Sequence, residues 1–331
     1  MIVVTGATGH IGNVLVRLLL TLNQKVRALV LPGEDLTALR ELDVEIVTGD
    51  ICRPESLMPA FKGADMVYHL AGIISIIPGR ERILQEVNVQ GTRNVIDACL
   101  KNNVRRLVYT SSIHALKEPP HGTAISESQP FDPSSVLGHY AKSKAQASLE
   151  ALSAAARGLD TVIVCPSGVI GPYDFKGSEM GYLIQAFVRR KLPAGVNGAY
   201  DFIDVRDVAA GMVAAGEKGI SGEVYILSGE QITIRQLFKS LELISGIKPP
   251  RLMVPCWLAK AAGVIITPFL LRLKKKPLLT PYSIDVLQSN SQIDSKKTRK
   301  ALGFSARPLI ESLRDTVLWF KLKTQPMSNS S

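Results

Sequence analysis

The chain has 331 residues, 46% hydrophobic and 21% charged. That balance excludes disorder except at 324–331 and suffices for one large or two smaller α/β domains with a substantial core. The net charge of +10 admits an anionic ligand, an anionic membrane surface or a solvated basic face, whereas arginines and lysines scattered away from aromatics exclude a nucleic-acid module.

Ile2, Val3 and Val4 open the chain as a β-branched strand, so no signal peptide is expected. A glycine turn and an apolar periodic stretch over 11–22 follow, reading strand, loop, helix. Strands are expected at 25–31, 44–48, 65–70, 105–110, 160–165 and 223–227. Helices are expected at 34–42, from Pro54, at 81–102 and at 135–157. Strands and helices alternate, and the strands are nearly continuously apolar. This predicts an α/β fold with a doubly wound parallel sheet of Rossmann type over 1–166 and a return strand near 223–228. After Pro166 the alternation degrades, and 167–222 with 229–323 reads as a smaller, mostly helical substrate-binding lobe. Cys52, Cys99, Cys165 and Cys256 form no CxxC pair. Cys99 and Cys165 fall in apolar patterns, so a reduced cytoplasmic protein is expected.

Residues 261–271 are almost wholly apolar and are followed by Arg272 and Lys274 to Lys276. The stretch is shorter than the roughly 20 residues that span a bilayer. Gly263 and Pro268 interrupt it. Three readings stand: a helix packed in the lobe, a homodimer face, or peripheral membrane contact through 261–276.

Gly6, Gly9 and Gly12 lie between the first strand and its helix. Glycines permit a tight turn, and a helix N-terminus offers free N–H groups to a pyrophosphate. The GxxGxxG spacing is one residue longer than the GxGxxG fingerprint. Thr8, His10 and Ile11 share the loop. The second strand ends without the acid that binds a ribose 2′-hydroxyl or the arginine that accepts a 2′-phosphate; Arg27 lies inside the strand, and Glu34 and Asp35 come late. Both NAD and NADP stay open, and the missing acid favours NADP. Asp50 and Ile51, after the third strand, could flank the adenine.

Tyr140 and Lys144 are four residues apart on a predicted helix and share a face. A nearby ammonium and an oxidised nicotinamide would lower the phenol pKa, fitting Tyr140 for proton exchange with a carbonyl or alcohol. Ser111 and Ser112 end the fifth strand, where open α/β sheets bind ligands, and Ser112 is favoured to hold the substrate oxygen. His69 is expected to pack, His10 to line the loop surface, and His114 and His139 to flank the reactive hydroxyls. Ser167, Tyr173, Phe175, Tyr182 and Tyr200 suggest a largely hydrophobic pocket, with His114, Tyr173 and Tyr182 as substrate contacts. No His, Cys and Asp spacing suggests a metal.

The chain resembles the extended short-chain dehydrogenase/reductase superfamily. The resemblance rests on Thr5-Gly6-Ala7-Thr8-Gly9-His10-Ile11-Gly12, Gly49-Asp50-Ile51, His69-Leu70-Ala71-Gly72, Asn88-Val89-Gln90-Gly91-Thr92, Tyr109-Thr110-Ser111-Ser112, Tyr140 to Lys144, and Phe202-Ile203-Asp204-Val205-Arg206-Asp207-Val208. It covers roughly the first 230 residues. It implies Ser112 orienting the carbonyl, Tyr140 as acid/base, Lys144 anchoring the cofactor, and Asn88 supporting the proton path. Leu70, Ala71 and Gly72 would touch the cofactor. Cys165 to Pro172 resembles the loop at the nicotinamide end, which adds Pro166, Gly168 and Val169. Within the superfamily the chain is most similar to dihydroflavonol-reductase and 3β-hydroxysteroid-dehydrogenase relatives. Leu31 stands where their NADP-using members often carry arginine. Ile113 and His114 replace the acidic pair of sugar-nucleotide dehydratases, which discounts water loss.

Three functions follow: a carbonyl/alcohol oxidoreductase acting on an apolar or aromatic small molecule, a nucleotide-sugar epimerase with tightly bound NAD, or a nicotinamide sensor. A sensor needs no proton donor, which argues against the third. A homodimer is implied only by the resemblance.

Overall fold

The computed structural model describes residues 1–75, 77, 79–273 and 280–324. In chain order the first half runs β1 (Ile2–Thr5), α1 (His10–Thr21), β2 (Val26–Val30), β3 (Glu45–Thr48), α2 (Pro54–Phe61), β4 (Met66–His69), α3 (Glu81–Leu84), α4 (Gly91–Lys101), β5 (Arg106–Thr110), α5 (His139–Ala156) and β6 (Asp160–Pro166). The second half runs β7 (Gly168–Ile170), α6 (Glu179–Val188), β8 (Gly195–Val196), β9 (Ala199–Asp204), α7 (Val205–Lys218), β10 (Val224–Leu227), β11 (Glu230–Thr233), α8 (Ile234–Ser245), β12 (Met253–Val254), α9 (Cys256–Arg272), α10 (Pro281–Gln288), α11 (Lys296–Leu302) and α12 (Leu309–Thr324).

Seven strands form one parallel sheet in the order β10-β6-β5-β4-β1-β2-β3. Strand side chains alternate between its faces. Val4, Tyr68 and Val108 pack with α1 and α7, whereas Val3, Val67 and Leu107 pack with α2 and α4. Burial on both faces is why the strands read as continuous apolar runs. A smaller sheet, β11-β9-β7, carries α6, α8 and α12 around a separate apolar cluster.

Every central strand points the same way, so the turns after β1, β4, β5 and β6 line one edge in that order. β1 sits where the chain order reverses, the position at which such sheets bind ligands. On α5 the buried positions are Lys144 and seven small residues, Ala141, Ser143, Ala145, Ala147, Ser148, Ala151 and Ala154. The seven small side chains let the helix approach the sheet closely.

Three expectations differ from the structure. Residues 34–42 hold only a 3-10 turn, Thr37–Leu39, because the Asp35 carboxylate accepts the Thr37 N–H and the Glu34 carboxylate the Leu31 N–H, each at 2.9 Å. Side chains that bond nearby backbone in this way compete with helix. Helix α5 begins at His139, not 135, because Asp132 organises a turn and Gly138 has φ +84. The long helix over 81–102 contains a π-helical stretch, Gln85–Gln90, which carries Asn88. Such stretches often occur at functional sites. The lysines at 274–276 and the tail from 325 lie outside the described residues. Among the described residues no helix is long and apolar enough to cross a membrane.

Candidate active site

The glycine loop is built for close approach. Gly6 has φ +69, and a Cβ there would lie 2.7 Å from the Ala71 nitrogen. A Cβ on Gly12 would lie 2.1 Å from the Gly6 carbonyl oxygen, and the Gly9 N–H donates to that oxygen at 3.0 Å. Gly9 caps α1 without a side-chain bond, which leaves the first N–H groups of the helix for an anion. Gly6, Thr8, Gly9, His10, Ile11 and Gly12 therefore fit a pyrophosphate. His10 is half-buried in the loop. Its Nε2 donates to the Pro172 carbonyl at 2.9 Å, and burial lowers its pKa. It ties the loop to the segment after β7.

At the end of β2 the structure brings an acid that sequence spacing placed too late. The Glu34 carboxylate accepts the Leu31 N–H at 2.9 Å and the Thr8 hydroxyl at 2.6 Å. Lys176 donates to Glu34 at 2.6 Å and to Thr8 at 2.8 Å. Burial alone would raise the carboxyl, but these bonds hold it below its usual value. Arg27 turns away to Glu45 and to the Ala60 and Lys62 carbonyls. Asp50 accepts the Cys52 N–H, and Ile51 packs where a Cβ on Gly91 would clash.

The turn after β4 is held by one polar chain. Leu70 and Ala71 N–H donate to the Thr5 hydroxyl, which must then donate to His69 Nδ1 at 2.8 Å. His69 Nε2 accordingly carries the proton and donates to Thr92, whose hydroxyl donates to the Asn88 carbonyl. Burial drives His69 down to about 3, so it stays neutral and structural, as expected. The Asn88 amide clamps Ile73, accepting its N–H at 2.8 Å and donating to its carbonyl at 3.0 Å, and donates to Ser143 at 2.9 Å. A Cβ on Gly72 would come within 3.0 Å of the Asn88 amide oxygen.

Ser112 follows β5, buried, with its hydroxyl accepting the His114 N–H at 3.3 Å. Beside it Ser111 bonds Ser148 of α5 at 2.6 Å. Burial pushes the Tyr140 phenol up to about 12, and the Ser112 hydroxyl opposes that shift. The Lys144 ammonium donates to the Thr110 carbonyl at 2.5 Å and lies 4.7 Å from the Tyr109 ring centroid. Burial lowers its own pKa to about 8. For both groups burial is the largest influence and disfavours the charged form.

Next to these residues opens a pocket lined by Ile113, His114, Val136, Tyr200, Tyr282 and Ile293. His114 Nε2 and the Tyr200 hydroxyl are 2.5 Å apart, and burial lowers His114 to about 4. Gly168 makes room for the Tyr200 ring, since a Cβ would lie 2.4 Å from it. Pro166 ends β6, and Gly168 and Val169 form β7 beside β9, at the same sheet edge. Tyr173 and Tyr182 are not among the residues lining this pocket. Tyr173, at φ +66, packs on Trp319 and under Arg17, beside α1. Tyr182 is an exposed residue of α6. His139 faces Glu81 at 3.1 Å and also stands apart. Sequence reasoning set Glu34 aside as late and missed Lys176 and the wall from α10. The Thr280 capping box, which starts α10 one residue before Tyr282, was the available signal.

The whole chain is similar to proteins of this architecture. It is 37% identical over 322 residues to sterol demethylase protein B of Methylococcus capsulatus, covering 96% of this chain and 97% of that one. It is 31% identical over 314 residues to 3beta-hydroxysteroid-dehydrogenase/decarboxylase isoform 1 of Arabidopsis thaliana, covering 87% of this chain and 70% of that one. The crystal structure of gox2253 superposes with a TM-score of 0.86 at 31% identity and 98% coverage of both chains. Named reductases and dehydrogenases of the extended short-chain type are among the relatives, so the protein is a nicotinamide-dependent enzyme. A family model described as NAD dependent epimerase/dehydratase matches residues 2–228, and the chain belongs to that family.

Proposed function

We propose that the enzyme interconverts a ketone and a secondary alcohol on a largely apolar small molecule, using the nicotinamide as hydride donor and acceptor. The observation that carries this reading is the Tyr140 phenol beside the Ser112 hydroxyl, next to a pocket walled by Ile113, Val136, Tyr200, Tyr282 and Ile293. In the reducing direction Ser112 holds the carbonyl oxygen and Tyr140 gives it a proton; in the oxidising direction Tyr140 takes the proton back. A phenol that burial holds at about 12 keeps its proton at neutral pH, which suits it to the donor role. Lys144 anchors the cofactor, and Asn88 is a positioning residue that fixes the turn after β4. Residues 167–222 and 229–323 serve as the substrate lobe, apart from α7, which covers the central sheet. Relatives named for sterol demethylation and for 3β-hydroxysteroid oxidation support an apolar alcohol or ketone.

We further propose NAD as the preferred dinucleotide. The case for NADP rested on the lack of an acid after β2, and Glu34 supplies one by folding back onto Leu31. A carboxylate there accepts a ribose 2′-hydroxyl and repels a 2′-phosphate. The test is nicotinamide absorbance with NADH and NADPH, each offered against hydrophobic ketones and UDP-sugars. Oxidation of NADH with a ketone supports the reading. Interconversion of a sugar without net redox change would replace it with an epimerase.

A further inference from the structure

Helix α9 has its large and small residues the wrong way round for a helix buried in a lobe. The sides turned to the protein are small: Gly263 and Thr267 are buried, and a Cβ on Gly263 would lie 3.3 Å from Pro281 of α10. Most bulky residues whose side chains are described point out, with Leu270 half-buried. Trp257 is 71% exposed, Ile265 77% and Phe269 62%, with Leu258, Val264 and Ile266 beside them. Scattered exposed apolar residues are ordinary, but a contiguous set on one helix marks a contact surface. The charge around it has one sign. Between Glu242 and Asp285 the sequence carries seven basic residues and no acidic one. Of these, Arg251, five residues before the helix, and Arg272, its last residue, are exposed, while Lys260 is held by Asp285 at 2.5 Å.

We propose that α9 is an in-plane membrane-docking helix that binds the surface of an anionic phospholipid bilayer. The apolar face enters the boundary between headgroups and acyl chains, and the surrounding cations meet lipid phosphate. With 17 residues the helix is too short to span, which leaves the in-plane arrangement. A second copy of the chain is the poorer occupant, since pairing would bring two such basic segments together. Helix α9 rests on α10, which contributes Tyr282 and Val286 to the pocket. The bilayer would then present an apolar substrate close to Tyr140. That last sense rests on the proposed function; the docking itself does not.

The experiment is flotation of the full-length protein with phosphatidylcholine vesicles, with and without phosphatidylglycerol. Wild type should float with the anionic vesicles and not with the neutral ones. The pair Ile265→Glu and Phe269→Glu, on exposed positions, should weaken binding by at least about 100-fold while leaving thermal unfolding and nucleotide binding unchanged. Wild type that stays at the bottom overturns the proposal, as does equal binding to both vesicles. A dimer abolished by the same pair, without vesicle binding, also overturns it and assigns the face to a second copy. Flotation reads no chemistry, so a protein that floats but reduces no ketone would sink the functional reading and leave the docking intact.

Discussion

Replacing Lys144 by methionine should strengthen the fold while disabling the enzyme. Lys144 is 7% exposed, and its cation has one carbonyl, that of Thr110, and the face of Tyr109 for company. Burial lowers its pKa from 10.5 to about 8. The unfolded chain therefore holds the extra proton between those values, and wild-type stability rises with pH through that window. At pH 7 both states are charged and the penalty is complete, on the order of 3 kcal/mol. Lys144→Met removes the penalty and leaves the Thr110 carbonyl without this donor, which costs back about 1 kcal/mol. The net gain at pH 7 is about 2 kcal/mol, a rise of a few degrees in Tm for a chain of this size. Differential scanning of both proteins without nucleotide, at pH 7 and pH 10, measures it. The variant should melt higher at pH 7, with the gap shrinking at pH 10, and its turnover should collapse. A variant that melts lower by a constant margin at both pH values would refute the reasoning.

Two other substitutions separate the cofactor argument into parts. Glu34→Gln should lower the preference for NADH over NADPH by about 10-fold in kcat/KM, since a charged acceptor is roughly twice as strong as a neutral one and repels phosphate; an unchanged ratio would remove Glu34 from cofactor choice. Gly12→Ala places a methyl 2.1 Å from the Gly6 carbonyl oxygen, so NADH should fail to bind in a fluorescence titration, and retained affinity would contradict the cradle.

Much of this was legible because the sheet is buried on both faces. Continuous apolar strands separated by helical periodicity, with a glycine turn after the first, leave little but a doubly wound sheet. Parallel strands then bring Gly6, Ala71, Ser112 and Gly168 to one edge regardless of their distance in sequence. What escaped depends on local polar geometry. Glu34 looked too late for β2 until its carboxylate turned back to the Leu31 N–H. Tyr173 looked like a pocket aromatic, but a left-handed backbone sends it to Trp319. The burial that raises the Tyr140 phenol and lowers the Lys144 ammonium is a depth in the fold that their spacing on α5 does not record. Tyr282 reaches the pocket from a helix far along the chain, a placement that no periodicity records.

The central claim is that Tyr140 exchanges the proton. Its most direct test is NADH oxidation by Tyr140→Phe with a ketone the wild type reduces, alongside NADH binding to both proteins. The account predicts unchanged binding and a loss of turnover on the order of 100- to 10,000-fold, the usual contribution of a positioned acid. Turnover within a few-fold of wild type would contradict it, and the proton would have to come from another group.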